Sequence, residues 1–163
     1  MQTLIIDNIG KIRKAKEMLE KKLNIKINIT GKKIEFSGGA IEEYEAEKIL
    51  RAIDFGFTIP KAMLIKEQEL EFDIIHIKNY SRKQDLRPVR ARIIGREGRT
   101  RKTLENISGS YLKINDGEVG AIGNIESIEN VKTAITKLIR GTKQANTYRY
   151  LEKTNRIKKL ERN

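Results

Sequence analysis

The sequence predicts an α+β protein built from two copies of one small unit, each a short sheet with helices packed on one face. Stretches of alternating apolar and polar residues, typical of half-buried strands, are interleaved with stretches of helical periodicity. The second half of the chain repeats the first at one constant offset, which carries Gly10 onto Gly95. A chain of 163 residues is long enough for two small domains.

The first copy is predicted to run strand, helix, strand, strand and helix. Asp7 or Asn8 is expected to cap the first helix, because both side chains are good hydrogen-bond acceptors at a helix start. The predicted elements are a strand at Gln2–Ile6, a helix at Ile9–Leu23, strands at Ile25–Ile29 and Lys33–Ser37, and a helix at Ile41–Phe55.

The second copy follows a linker and ends in a basic tail. The domain boundaries predicted from these patterns are 1–56, a linker at 57–69, 70–142 and a tail at 143–163. The predicted elements are a short linker helix at Lys61–Ile65, a strand at Glu71–Asn79, a helix from Pro88 to Ile94, a helix from Arg99, strands at Tyr111–Asn115 and Glu118–Ile122, a helix at Ile125–Leu138, and a helical tail that begins at Asn146–Lys153.

The most informative stretch is Arg90–Lys102, in which two glycines three positions apart follow an apolar pair. A loop held by Gly95 and Gly98 can bring its backbone close to another backbone, because glycine lacks a Cβ atom. The helix predicted from Arg99 would point its N–H groups and positive dipole end at the loop, which favours an anion. This G-x-x-G arrangement, followed by a helix, two strands and a helix, is that of the KH domain. The loop of a KH domain clamps about four nucleotides of RNA backbone.

The first copy lacks this loop. The offset pairs Ile9–Gly56 with Ile94–Gly141 without a gap and places Arg13 where the second copy has Gly98. Too few residues precede Gly10 for both a full strand and an opening helix. We therefore interpret the first copy as a degenerate KH-like unit whose loop has merged into a longer helix, with a role in packing more than in clamping.

The positive charge of the chain is concentrated in two segments. The formal net charge is +12, of which residues 81–113 contribute an excess of +7 and residues 143–163 an excess of +5. The remainder of the chain is therefore neutral overall. A basic excess confined to the G-x-x-G region and the tail indicates binding of a polyanion, because a generic solvated surface would spread its charge.

Catalysis, metal binding and membrane insertion find no support in the sequence. The chain has no cysteine, and His76 is its only histidine, so we interpret His76 as a strand-face or core residue. Asp85 and Glu97 stand isolated among cations, whereas phosphoryl chemistry needs clustered carboxylates. No apolar run could span a bilayer and no signal peptide is recognisable. The expectation is a cytoplasmic protein without catalytic residues, metal or cofactor.

Parts of the second copy resemble a known family. Arg92–Arg101, the Arg140-Gly141 end of the last helix and Thr147–Glu152 are similar to archaeal members of the ribosome-biogenesis KH family called Dim-two, or "partner of Nob one". The resemblance is specific over Phe57–Lys159 and loose before it. It implies two type I KH-like units, the first without a proper loop, that bind single-stranded RNA near the 3′ end of small-subunit ribosomal RNA during ribosome maturation. The partners implied are that RNA and a Nob-one-like endonuclease or a translation-initiation factor.

The residues expected to contact RNA lie in the loop, in the helices beside it and in the facing strand. Gly95–Gly98 would let the RNA backbone approach, and N–H groups at Gly98–Thr100 would meet its phosphates. One groove wall is expected from the helix before the loop and the other from the strand at Tyr111–Asn115. The predicted RNA-binding residues are Arg92, Ile93, Gly95, Arg96, Glu97, Gly98, Arg99, Thr100, Lys102, Lys113 and Ile114.

The sequence is also compatible with other kinds of binding protein. A transcription-elongation KH pair of the NusA-like kind would bind nascent RNA and polymerase, although the tail stretch argues against it. A protein adaptor would present the basic face to an acidic partner, and competition by RNA would distinguish it. Tyr148 and Tyr150 could stack on bases or pack against the core, and their position close to a domain end favours packing.

Overall fold

The predicted α+β class is confirmed by the computed structural model, which describes residues 1–162. Contacts divide the chain into two compact units, Met1–Phe72 and the part from Asp73 onward. Two short 3-10 helices lie at Ile77–Asn79 and Arg96–Gly98. The remaining elements are β1 (Gln2–Ile5), α1 (Ile9–Leu23), β2 (Lys26–Thr30), β3 (Lys33–Ser37), α2 (Ala40–Phe55), α3 (Ile59–Glu67), β4 (Glu71–His76), α4 (Arg87–Ile94), α5 (Arg99–Ser108), β5 (Tyr111–Ile114), β6 (Glu118–Gly123), α6 (Ile125–Ile139) and α7 (Gln144–Arg162).

The first unit is an antiparallel sheet covered by helices. Its strand order is β1-β3-β2, so the hairpin of β2 and β3 places β3 in the centre. Helices α1 and α2 pack together, and α3 packs on α2. Leu19, Ile34 and Ile49 have no exposed surface, because the apolar faces of helix and strand meet in one core.

The second unit repeats this plan and adds helices. Its sheet has the order β4-β6-β5, with β5 and β6 antiparallel. Helix α7 packs on α5 and α6, and buries Thr147 completely and Leu151 to 1% exposure. Tyr148 and Tyr150 pack against the same core, so the packing interpretation of the two tyrosines is confirmed.

The sequence repeat is also a repeat of hydrogen bonds. The Glu20 side chain accepts from the backbone N–H of Ile27 at 2.8 Å, and the Glu105 side chain accepts from that of Leu112 at 3.0 Å. The offset that carries Gly10 onto Gly95 also carries the first donor and acceptor onto the second. In each unit a helix carboxylate therefore fixes the turn into the next strand, which shows that the two copies share their local architecture as well as their topology.

The first unit has no counterpart of α4 or of the loop that follows it. Strand β1 reaches α1 within a few residues, and α1 is continuous through Gly10 and Arg13. Asn8 lies at the N-cap position of α1, as predicted, but its side chain accepts no capping hydrogen bond. Instead the backbone N–H groups of Asp7 and Asn8 both donate to Asp54 Oδ1 at 2.9 Å, and the Asn8 side-chain amide donates to the Asp54 carbonyl.

The predicted strand at Glu71–Asn79 is three residues longer than the observed one. Strand β4 ends at His76, and Ile77–Asn79 turns into a 3-10 helix rather than continuing the strand. The Ile77 N–H donates to the Gly117 carbonyl at 3.0 Å, and the Ile77 carbonyl accepts from Tyr80 at 3.0 Å, so the chain turns here. Within residues 1–162 no helix is long and apolar enough to cross a membrane.

Candidate nucleic-acid interface

The loop between α4 and α5 has a backbone that ordinary side chains rarely adopt. Gly95 lies at φ 74° and ψ 174°, Glu97 at φ 54° and ψ 27°, and Gly98 at φ 74° and ψ 15°. Three residues with positive φ among four turn the chain sharply from one helix into the next. The Gly98 N–H donates to the Gly95 carbonyl at 3.2 Å and closes the turn.

The two glycines have different roles in this turn. A Cβ atom on Gly95 would lie 2.7 Å from the backbone nitrogen of Thr100, far closer than two such atoms can approach. A Cβ atom on Gly98 would meet only the side chain of Arg101, at 3.7 Å. Gly95 therefore allows the loop to pack on the first turn of α5, whereas Gly98 keeps the outer side of the loop open for a ligand.

Thr100 lies beneath the loop and not on its surface. It is 6% exposed, and its side chain contacts the Gly95 position directly. Its hydroxyl and its backbone nitrogen therefore both lie on the packed side of the turn, against Gly95. Helix α5 begins at Arg99, and Gly98 at its N-cap provides no side-chain cap, so the positive end of its dipole is open to an anion. The N–H groups of Gly98 and Arg99, which were expected to meet phosphates, donate instead to the carbonyls of Gly95 and Arg96.

Three cations surround this helix start with little competition from carboxylates. Arg96 and Lys102 are exposed and form no ion pair within the described part of the chain. Arg99 approaches Glu97 at 3.8 Å, but the two side chains are 78% and 84% exposed, so this pair contributes little. All three cations are therefore free to meet a phosphate.

Other cations of the same segment are held by the protein itself. Arg87 binds Asp85 through two nitrogens, Arg90 binds Asp116 at 2.7 Å, and Arg101 pairs with Glu105 on α5. The Arg87 guanidinium also lowers the pKa of Asp85 below its usual value. The excess of charge counted from the sequence thus includes several arginines that are already paired with a carboxylate.

The side chains of Arg92 and Ile93, which were expected to line a groove wall, both make contacts within the protein, and an RNA contact by Arg92 stays a prediction. The Arg92 guanidinium donates to the Thr142 carbonyl at 2.8 Å and is half-buried, because it ties the end of α4 to the end of α6. Ile93 has no exposed surface and belongs to the core. The physical reason is helical periodicity, which turns Ile93 inward one turn after Val89, another core residue.

The facing strand presents one exposed and one half-buried residue. Lys113 is exposed and lies on the opposite face of edge strand β5 from Leu112, which is buried in the core. Ile114 is half-buried against that core. An RNA contact by Lys113 or Ile114 stays a prediction.

No group of three histidine, cysteine, aspartate or glutamate residues within positions 1–162 is arranged to hold a metal ion. His76 lies at the exposed end of β4, with its Nδ1 atom 3.3 Å from Glu118.

Sequence reasoning also missed a second group of cations, which the structure brings together beside Tyr80. This group consists of Lys78, Arg82, Lys83 and Arg140. The only sequence signal for it was the adjacent basic pair Arg82-Lys83.

Comparison with known proteins agrees with this geometry. The sequence matches the family described as "Eukaryotic type KH-domain (KH-domain type I)" over residues 71–156, more than half of the chain. A KH domain-containing protein of Methanocaldococcus jannaschii is 30% identical over 89% of this chain and 67% of its own length. The pre-rRNA-processing protein pno1 of Emericella nidulans is 29% identical, and the chain spans 55% of that longer relative.

Solved structures give the same result. Dim2p from Pyrococcus horikoshii superposes with a TM-score of 0.86 at 32% identity, covering 93% of this chain and 98% of its own. A second structure, titled a complex of a/eIF2alpha, aDim2p and rRNA from the same organism, has a TM-score of 0.85 at 32% identity, with 93% and 92% covered. The chain therefore belongs to the family of type I KH-domain proteins that includes archaeal Dim2p and eukaryotic PNO1.

Proposed function

We propose that this protein binds single-stranded RNA near the 3′ end of small-subunit ribosomal RNA during ribosome maturation, through the loop at Gly95–Gly98. The observation that carries the proposal is the start of α5, which has no side-chain cap and lies beside the open outer side of Gly98 and three unpaired or weakly paired cations. Relatives named for pre-rRNA processing and a neighbour titled as an rRNA complex support the choice of RNA.

The proposed contact has a simple physical order. The phosphodiester backbone approaches the outer side of Gly98, where a side chain would otherwise stand. Phosphate oxygens meet the positive dipole end of α5 and the charges of Arg96, Arg99 and Lys102. The bases then face away from the loop and are read along their edges, which a single strand allows and a paired strand does not.

The proposal also covers the kind of protein and its partners. We take it to be a binding protein and not an enzyme, in line with relatives named as RNA-binding proteins. A translation-initiation factor is the proposed protein partner, since the rRNA complex of the neighbour also contains a/eIF2alpha. A Nob-one-like endonuclease remains a further proposed partner. RNA maturation of this kind would place the protein in the cytoplasm.

A binding titration at several salt concentrations tests the proposal. The probes are an oligonucleotide from the 3′ end of the small-subunit RNA, a scrambled strand of the same composition, and the first strand paired with its complement. If about four phosphates are contacted, log affinity falls against log salt with a slope of about −3. We expect the native single strand to bind best and the duplex to bind worst.

Two results would contradict the proposal in different ways. Equal binding of native and scrambled strands would leave an RNA clamp but remove the assignment to this RNA region. Preference for the duplex, or an affinity that does not change with salt, would remove the single-strand clamp itself, because neither fits a narrow loop that neutralises phosphates.

A further inference from the structure

A second basic pocket lies between the segment that follows β4 and the C-terminal end of α6. Its volume is about 550 Å³, within the usual range for sites that bind small ligands or single nucleotides. The segment is held in place by its backbone, because Tyr80 and Ser81 both donate to the Ile77 carbonyl, at 3.0 and 3.1 Å. The Ser81 hydroxyl in turn accepts from the Lys83 N–H at 3.2 Å. The pocket is thus a formed feature of the fold.

Positive charge and one aromatic ring dominate this pocket. Lys78, Arg82, Lys83 and Arg140 line it, and none of the four forms an ion pair with a carboxylate of residues 1–162. The Arg140 guanidinium lies 5.9 Å from the centre of the Tyr80 ring. Unpaired cations attract phosphate, and an aromatic ring beside a planar guanidinium is a surface on which a nucleobase stacks.

The pocket is joined to the RNA loop by one hydrogen bond. Arg92 lies about one helical turn before Gly95 and donates to the Thr142 carbonyl at 2.8 Å, two residues after Arg140. The end of the helix that leads into the loop therefore touches the end of the helix that carries the pocket arginine. The loop and the pocket therefore both lie close to this Arg92–Thr142 contact.

We propose that this pocket is a second RNA subsite, which takes a nucleotide of the same single strand beyond those held at Gly95–Gly98. The phosphate binds the lysines and Arg82, and the base stacks on Tyr80 and Arg140. The inference rests on the proposed function, since it needs RNA at the loop to bring the strand to the pocket. The proposed RNA contact then extends from the loop at Gly95–Gly98 to the pocket, and both lie in the second unit.

Two RNA lengths and two matched variants test the inference. A strand of about four nucleotides fills the loop alone, whereas one of about ten nucleotides also reaches the pocket. The pocket variant carries Arg82→Gln and Lys83→Gln. The control variant carries Lys11→Gln and Lys14→Gln, which remove the same charge from exposed positions of α1.

The pocket variant is expected to bind the long strand about tenfold more weakly, with the salt slope shallower by about 0.7, since one phosphate contact is lost. Its affinity for the short strand should stay unchanged, and the control variant should match the parent for both strands. Tyr80→Leu should weaken binding of the long strand without changing the slope, provided that its thermal unfolding matches the parent.

Several outcomes would overturn the subsite. Unchanged affinity of the pocket variant for the long strand would show that RNA does not use the pocket, and would favour an acidic protein partner instead. An equal loss of affinity for both strands would show that the two charges act through the general electrostatic field of the protein and not through a contact in the pocket. Saturation of the pocket by AMP that the long strand does not displace would identify a free mononucleotide as its ligand. A parent that binds the long strand but not the short one, with loss in the pocket variant, would remove the loop assignment and leave the pocket.

Discussion

The two glycines of the loop should respond very differently to the same substitution. Gly95→Ala places a methyl group 2.7 Å from the Thr100 nitrogen, at a φ of 74° and a ψ of 174°, a combination that is essentially restricted to glycine. Gly98→Ala places its methyl group in nearly open space, at a φ of 74° and a ψ of 15° that other residues adopt with modest strain.

The magnitudes follow from these two environments. At Gly95 the backbone strain costs about 1–3 kcal/mol, and the overlap with Thr100 adds about 1–3 kcal/mol more, because the contact is to backbone that cannot rotate away. At Gly98 only the left-handed strain remains, and the reduced entropy of the unfolded chain offsets part of it, which leaves about 1 kcal/mol. The expected difference between the two variants is about 1–5 kcal/mol.

Urea unfolding of both variants measures this difference directly, provided that the slope with denaturant matches the parent. Urea unfolding should show that Gly98→Ala is folded. RNA titration should show that it binds RNA several-fold more weakly than the parent, since its methyl group stands where the RNA backbone would approach. Equal stability of the two variants would refute the assignment of Gly95 to packing. Unchanged RNA affinity of Gly98→Ala would refute the assignment of Gly98 to the binding surface.

The remaining predictions concern charge and the tail. Replacing Arg96 and Glu97 by aspartate should weaken RNA binding strongly while changing the free energy of unfolding by only about 0.5 kcal/mol, because both side chains are exposed. The matched reversal at Lys11 and Arg13 in the first unit should affect RNA binding far less, and equal losses would show that both units clamp RNA. Leu151→Ala should cost about 2–5 kcal/mol in thermal or urea unfolding, because the side chain is 1% exposed, while the salt slope of RNA binding stays unchanged. A shallower slope in this variant would instead place the tail on the RNA.

Much of the fold could be predicted from the sequence because its signals are local. The helix at Ile9–Leu23 and the strand at Lys33–Ser37 match the predicted bounds, since periodicity and turn residues mark both ends. The two glycines also indicated the loop correctly. The constant offset between the copies then carried the assignments of one to the other, and the repeated hydrogen bonds of Glu20 and Glu105 agree with it.

The partners of individual side chains could not be predicted in the same way. Arg92 donates a hydrogen bond to a carbonyl 50 positions away, and Asp54 accepts hydrogen bonds from residues 46 and 47 positions away. No local sequence pattern predicts either contact. Charge counted along a segment also cannot separate an arginine held by a carboxylate, such as Arg90, from a free one such as Arg96. Tertiary contacts decide which cations remain available to RNA.

The matched carboxylate hydrogen bonds of Glu20 and Glu105 give the chain an internal reference for measurements of hydrogen exchange. The amide protons of Ile27 and Leu112 occupy equivalent positions, each bonded to a glutamate of the preceding helix. Temperature, salt and pH act on both at once, whereas a ligand of the loop acts only on the second. The ratio of their hydrogen-exchange rates, measured in one sample, therefore reports RNA binding without any comparison between two protein preparations.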